Sequence, residues 1–134
     1  MKSILQLIVW LCLIALVSCE KDAGEGGMAT IDGTVIIEDY NFDFTIYRGS
    51  YPAQDYDVYI IYGDDEFYSD KVATSYNGYF EFKYLREGKY TLFAYSKDKT
   101  LDYNVTSELI PIIREVNITS KRQKVTVEDM IVIK

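Results

Sequence analysis

The sequence contains no histidine and only two cysteines, Cys12 and Cys19, among 134 residues. Without histidine, a chain cannot form the Ser–His or Cys–His pairs that activate most nucleophilic enzymes. The same absence removes the usual histidine ligands of zinc sites. Carboxylate chemistry is the main catalytic route that remains open. We therefore expect a noncatalytic protein without a cofactor.

Positive charge is also scarce, since 14 Lys and Arg stand against 21 Asp and Glu, for a net charge of −7. Nucleic acids bind proteins mainly through phosphates that attract Lys and Arg. An acidic chain is likewise repelled by anionic lipid surfaces. We expect no nucleic-acid partner and no attachment to a membrane through the net charge of the chain.

The first 18 residues have the features of a cleaved targeting segment. Lys2 supplies a positive charge, and an apolar run from Ile4 to Val17 follows, interrupted only by Gln6. A membrane-spanning helix requires about 20 apolar residues, so this run is too short to span but suits a signal peptide. A helix buried in a protein core would show a polar stripe, and none is present. The sequence predicts a signal helix over residues 1–18.

The four residues at the end of that run resemble the bacterial lipobox, in which an aliphatic residue and two further small or tolerated residues precede a cysteine. They are Leu16-Val17-Ser18-Cys19. The resemblance implies that Cys19 becomes the first mature residue and carries a diacylglycerol and an acyl chain such as palmitate. Several acyl chains anchor a protein durably, at about 0.8 kcal/mol per buried methylene. We expect an outer-membrane lipoprotein, periplasmic or exposed at the cell surface, whose mature domain has no free thiol.

Residues 19–28 are rich in acids and glycine and poor in apolar residues, which predicts a flexible tether between the lipid and a domain over residues 29–134. That domain is rich in Tyr, Phe, Val, Ile and Thr, which favour strands. Eight segments have strand character, and Asn77-Gly78 predicts a tight hairpin turn. We predict an all-β domain with seven or eight strands in an antiparallel Greek-key β-sandwich. The predicted strands are residues 29–38, 42–47, 57–62, 67–74, 79–84, 89–95, 109–119 and 125–133.

Four short motifs recur along the predicted strands: Gly33 and Val35, then Val58 and Ile60, then Thr74, Gly78, Phe80 and Phe82, and finally Leu85, Gly88, Tyr90 and Leu92. This pattern resembles the carboxypeptidase-regulatory-like, or transthyretin-like (prealbumin-like), β-sandwich family. This family has a short link between the first two of these motifs, and in this sequence a longer segment between Gly33 and Val58 takes its place. The resemblance implies a sandwich fold and a role in stability, spacing or interaction, and it implies no activity.

Two groups of acidic residues are candidate sites for chemistry. Asp64, Asp65, Glu66 and Asp70 offer oxygen ligands for Ca²⁺, but they lack the spacing of a dedicated calcium loop. A solvated hairpin tip explains them better, and we predict no metal site. Asp55 and Asp57 would lie about 7 Å apart if they shared a strand, but nothing in their sequence context indicates a raised pKa for acid–base catalysis.

Three tyrosines are candidates for a binding face. Alternation places Tyr59 and Tyr79 opposite the inward-facing Val58 and Phe80, and Tyr95 should also face outward. Exposed tyrosines stack on sugars or anchor protein partners, and they also cover the outer faces of many sheets. We expect a membrane-anchored binding or scaffold module whose partner is a protein or a glycan, linked to glycan or nutrient handling. The alternative is a structural subunit or anchor of a surface fibre.

Overall fold

The structure, a computed structural model, describes residues 22–100 and 108–134. Within these two ranges the chain contains nine strands and no helix, which confirms the predicted all-β class. The predicted strand number was too low because residues 125–133 form two strands, with the break just before Met130. The strands are β1 (Glu25–Tyr40), β2 (Tyr47–Pro52), β3 (Asp57–Tyr62), β4 (Asp70–Ala73), β5 (Tyr79–Leu85), β6 (Gly88–Lys97), β7 (Leu109–Ile118), β8 (Lys124–Thr126) and β9 (Met130–Ile133).

Sheet I is built around β1, whose two halves have different neighbours. The first half pairs with β5 and β8, and the second half pairs with β2 and β9. The pairings with β8 and β9 are parallel, so the expectation of a purely antiparallel sandwich is wrong for this sheet. The reason is the direction of the chain: β7 returns it to the level at which β1 begins, and β8 and β9 then run alongside β1.

Sheet II contains four strands in the order β4-β3-β6-β7, and all of its pairings are antiparallel. The β6–β7 ladder is the longest, running from Gly88 opposite Ile118 to Lys97 opposite Leu109. The predicted strands over residues 57–62, 89–95 and 109–119 therefore exist, with ends that differ by at most two residues. β7 carries Pro111 and is an edge strand, as expected for a residue without an amide donor.

One hydrophobic core contains the inward residues of both sheets, because alternate residues of each strand point to the same side. The largest fully buried side chains include Phe80 and Ile31 of sheet I and Tyr90, Ile60 and Leu92 of sheet II. Removing such side chains from water stabilises the fold by about 1.5–3 kcal/mol each. The layered, sandwich-like arrangement thus follows directly from the alternation seen in the sequence.

The predicted turn at Asn77-Gly78 forms, but it does not make the predicted hairpin. The amide of Ser75 donates to the carbonyl of Tyr79 at 2.9 Å, and Gly78 has φ 77°. However, β4 belongs to sheet II and β5 to sheet I, so the turn carries the chain between sheets. Just before this turn, the buried hydroxyl of Thr74 donates to the carbonyl of Ala53.

Two predicted boundaries need correction. Glu25–Met28, assigned to the tether, lie in β1, so the structured domain begins before residue 29. Residues 42–46 form a loop, and the strand starts only at Tyr47. In that loop the side chain of Asn41 accepts the Ile46 amide at 2.8 Å, which competes with strand pairing. The predicted signal helix and Cys19 lie outside the described residues.

The sandwich has two ends, which the later sections refer to by name. The Gly24 end comprises the start of β1, the loop over residues 63–69, the turn at Arg86–Glu87 and the loop over residues 119–123. The Tyr76 end comprises the loop over residues 41–46, the connection over residues 53–56 and the turn over residues 74–78. Each strand of sheet II runs between these two ends.

Candidate binding face

Two strands of sheet II present aromatic side chains to solvent. On β3, Val58 and Ile60 are fully buried, so Tyr59 between them points outward. On β6, the buried Leu92 and Ala94 place Phe93 and Tyr95 on the same outer side. The antiparallel register sets Tyr59 directly opposite Phe93. The sheet therefore brings together two tyrosines that lie far apart in the sequence.

Four rings form one cluster, called here the aromatic face: Tyr59, Tyr68, Phe93 and Tyr95. The rings of Tyr59 and Phe93 are stacked, with centroids 5.0 Å apart and planes within 10°. Tyr68 and Tyr95 meet the Tyr59 ring edge-on, at centroid distances of 4.9 and 5.6 Å. Such pairs contribute about 0.5–1.5 kcal/mol each beyond the burial of their area. The rings therefore hold one another in place.

Exposure differs within the aromatic face. Tyr59 and Phe93 are half-buried, whereas Tyr68 is 53% exposed and Tyr95 is 40% exposed. The stacked pair therefore acts as the base of the cluster, and the two outer tyrosines offer ring surface to a ligand. The hydroxyl of Tyr56 donates to the backbone carbonyl of Tyr95, which fixes this part of β6.

An ion pair lies beside the rings. Lys71 Nζ is 2.8 Å from Asp57 Oδ2 and 5.9 Å from the centre of the Tyr59 ring. The hydrogen bond to Asp57 raises the pKa of Lys71. Burial, followed by the charge of Asp57, raises the pKa of the Tyr59 hydroxyl. The face therefore combines tyrosine hydroxyls with one Lys–Asp ion pair.

The outer side of β7 extends this surface with aliphatic groups. Ile113 stands opposite Phe93, and Pro111 stands opposite Tyr95. Ile113 and Leu109 are about half exposed, at 49% and 55%. A polar and aromatic region over β3 and β6 is thus continuous with an apolar edge on β7.

Tyr79, the third predicted member of the binding face, lies on the outer side of sheet I, away from the aromatic face. Its hydroxyl is 2.9 Å from Asp32 Oδ2 and 3.2 Å from a Glu81 oxygen. Asp32 is only 4% exposed, and it also accepts from Thr126 Oγ1 at 2.6 Å and pairs with Lys124 at 2.8 Å. Tyr79 therefore belongs to a network that joins β5, β1 and β8.

The charge state of this network is set by its hydrogen bonds. Burial acts to raise the pKa of Asp32, but hydrogen bonds from Lys124, Thr126 and Tyr79 outweigh it and leave that pKa below its ordinary value. Burial and the hydrogen bond to Asp32 strongly raise the pKa of Tyr79. Asp32 is thus a buried carboxylate with its partners satisfied, which is typical of a structural role rather than a catalytic one.

The acidic run lies in the β3–β4 loop, where Asp64, Asp65 and Glu66 are exposed and Asp70 begins β4. An Asp65 oxygen accepts from Ser69, and an Asp70 oxygen accepts from the Lys71 amide. No three His, Cys, Asp or Glu side chains among the described residues are grouped as metal ligands. Asp55 also departs from expectation, because it lies in a turn before β3 with φ 57°.

The sequence did not identify Tyr68 and Phe93. For Phe93 a signal existed, because it alternates with Leu92 and is two residues from Tyr95. Tyr68 lies in a loop, and no periodicity assigns a loop residue to a face. Cys19 lies outside the described residues. In the two described ranges, no helix is long and apolar enough to span a bilayer.

Comparisons with known proteins add no assignment. A scan against protein-family models and a search of curated proteins found no match to this chain.

Proposed function

We propose that this protein is a noncatalytic lipoprotein of the cell envelope that binds a glycan through the aromatic face. The observation that carries this proposal is the gathering of four aromatic rings on the solvent side of β3 and β6. Exposing the apolar surface of these rings to water is unfavourable, and exposed apolar surfaces commonly mark interaction sites. The lipobox at Leu16-Val17-Ser18-Cys19 supplies the proposed attachment to the outer membrane.

For the fold, we propose a transthyretin-like Greek-key arrangement of the two sheets. The positions that carry the resemblance support it: Phe80, Phe82, Tyr90 and Leu92 are all in the core. A Cβ on Gly88 would lie 2.7 Å from the Ala23 Cβ, which explains glycine at the start of that strand. Folds of this type serve many unrelated functions, so the glycan proposal depends on the aromatic face alone.

The chemistry of the aromatic face suits a sugar. A tyrosine ring stacks on the apolar side of a pyranose, and its hydroxyl bonds the sugar hydroxyls. Tyr68 and Tyr95 are the accessible rings, and Lys71 and Asp57 offer a charged donor and acceptor beside them. Since Tyr59 and Phe93 hold these rings, we expect them to support binding indirectly.

A glycan array with the intact lipoprotein in detergent tests this proposal. We expect Tyr95→Ala and Tyr68→Ala each to weaken binding to a recognised glycan about tenfold, equivalent to about 1.4 kcal/mol. Tyr76→Ala is the matched control, because Tyr76 is 81% exposed and lies in the turn at the Tyr76 end. No bound glycan, or equal losses in all three variants, would contradict the proposal. If the lipoprotein instead retains a protein partner, and this retention requires Ile113, the ligand of the face is a protein and not a glycan.

A fibre subunit is the second candidate. The short strands β8 and β9 lie along one side of β1 and are the kind of edge that a strand from another copy could replace. Exchange of the N-terminal strand β1 itself is disfavoured, because β1 pairs with four strands and forms the centre of sheet I. Light scattering of the purified lipoprotein distinguishes the two, because a fibre subunit forms long oligomers and a binding module does not.

A further inference from the structure

The chain is held tightly where it enters the sandwich. The amide of Gly24 donates to the Tyr90 hydroxyl at 2.9 Å, and its carbonyl accepts from the Arg86 amide at 2.8 Å. Arg86 Nε also donates to the carbonyl of Asp22 at 2.9 Å. Ala23 packs against the core beside Gly88. The chain is therefore already fixed to the domain at Asp22, before residue 29.

This position leaves a very short connection to Cys19. Only Glu20 and Lys21 stand between Cys19 and Asp22. An extended chain spans at most about 3.6 Å per residue, so the Cα atoms of Cys19 and Asp22 are separated by no more than about 11 Å. If Cys19 carries the lipid, the Gly24 end must lie within roughly that distance of the bilayer surface.

The Gly24 end has side chains that suit contact with phospholipid headgroups. A cleft of about 360 Å³ is open there. On the loop that follows β7, Lys121 and the neighbouring Arg122 are exposed. Phe67, in the β3–β4 loop, is 79% exposed, and Met28 is 60% exposed. Cationic side chains attract headgroup phosphates, and exposed apolar side chains favour the interface. The cleft is lined by Gly26, Gly27, Met28, Leu85, Arg86, Glu87 and Lys121.

Acidic residues limit how deep this contact goes. Asp64, Asp65 and Glu66 directly precede Phe67 and are exposed. Burying carboxylates in hydrocarbon is costly. The Gly24 end therefore fits a surface contact at the level of the headgroups and not an insertion into the bilayer.

We propose that the Gly24 end rests on the phospholipid surface, so that the strands stand away from the membrane and the Tyr76 end points outward. This inference rests on the proposed lipidation of Cys19. In this proposal the domain has a fixed orientation on the membrane and does not move freely on a tether. Tyr68 lies in a loop of the Gly24 end, but the other three rings of the aromatic face lie on β3 and β6, on the side of sheet II. This orientation leaves that part of the face open to a ligand that approaches along the membrane.

Tryptophan fluorescence offers a clean test. Trp10 is the only tryptophan of the chain, and it lies in the predicted signal peptide. Phe67→Trp places a single probe at the Gly24 end, and Tyr76→Trp places one at the opposite end. Both original side chains are strongly exposed, so both variants should fold. β6, with its 10 residues, joins the two ends and measures about 33 Å.

The intact lipoprotein is reconstituted into phosphatidylethanolamine–phosphatidylglycerol vesicles with a dansyl-labelled headgroup, and energy transfer from tryptophan to dansyl is measured. We expect strong transfer for Phe67→Trp and at least several-fold weaker transfer for Tyr76→Trp. Equal transfer would show a freely tumbling domain and overturn the orientation. The mass of the N-terminal peptide separates the two proposals: acylated Cys19 with equal transfer rejects only the orientation, whereas unmodified Cys19 rejects both.

Discussion

The Asp32 network offers a sharp test of how burial determines the strength of an ion pair. Two Lys–Asp pairs in this domain have the same N–O distance of 2.8 Å. In the Lys124–Asp32 pair the aspartate side chain is 5% exposed, and in the Lys71–Asp57 pair it is 43% exposed. Asp57→Asn is therefore a matched control for Asp32→Asn.

The expected magnitude follows from the contacts of Asp32. Its carboxylate accepts hydrogen bonds from Thr126, Tyr79 and Lys124. Hydrogen bonds to a buried charge contribute about 1.5–3 kcal/mol, and an amide of the same shape restores part of this. We expect Asp32→Asn to lower the free energy of unfolding by about 2 kcal/mol, or the Tm by roughly 10 °C. Asp57→Asn should cause no measurable change, since exposed pairs contribute little.

The pH dependence gives a second readout for the same residue. The lowered pKa of Asp32 means that its contribution to stability is present above the unfolded-state value of 3.8 and is lost as pH falls through the lower folded-state pKa. Glu81, which also contacts Tyr79, has a pKa lowered mainly by its hydrogen bond to Lys83, and it adds to the slope. Asp32→Asn should flatten the acid limb of the stability curve without abolishing it.

Urea unfolding of the purified protein, followed by far-UV circular dichroism across an acid pH series, measures both effects. Equal destabilisation by Asp32→Asn and Asp57→Asn would refute the argument from burial. An unchanged acid slope in Asp32→Asn would refute the assignment of the low pKa to this carboxylate.

Two further predictions concern a turn and a tyrosine. A Cβ at Gly78 would lie 2.4 Å from the Val35 carbonyl oxygen, whereas Gly63, also at positive φ, has its nearest neighbour at 3.9 Å. Gly78→Ala should therefore cost about 2–3 kcal/mol and Gly63→Ala about 1 kcal/mol in chemical unfolding, and equal losses would contradict the steric argument. Burial and the charge of Glu25 raise the pKa of Tyr62 to about 12. The unfolded chain loses this proton first, so stability should fall between pH 10 and about 12, and Tyr62→Phe should reduce that fall in alkaline unfolding curves.

The sequence predicted which residues form strands better than it predicted which strands pair with one another. The alternation in residues 57–62 placed Val58 and Ile60 inward and Tyr59 outward, as the structure has them. This succeeds because the direction of a side chain is set by the local backbone, with a period of two residues. The loop over residues 42–46 was wrongly predicted as a strand, because the side chain of Asn41 replaces a strand hydrogen bond with a local one.

The candidate site was likewise predicted only in part from the sequence. From the sequence, Tyr59, Tyr79 and Tyr95 were equivalent, since each follows or precedes an inward residue. The structure places Tyr59 and Tyr95 on sheet II beside Tyr68 and Phe93, and Tyr79 on sheet I beside Asp32. The turn over residues 74–78 separates them, because it carries the chain from one sheet to the other.

By itself, the sequence determined the all-β class and the inward and outward residues of the main strands, because both depend on neighbouring residues. It also carries the motif on which the lipidation of Cys19 is proposed. Only the tertiary structure decided that β8 and β9 run parallel to β1, that four aromatic rings share one face, and that Asp22 is already fixed to the domain. These features depend on contacts between residues far apart in the chain, and no local pattern records which distant strand a given strand will meet.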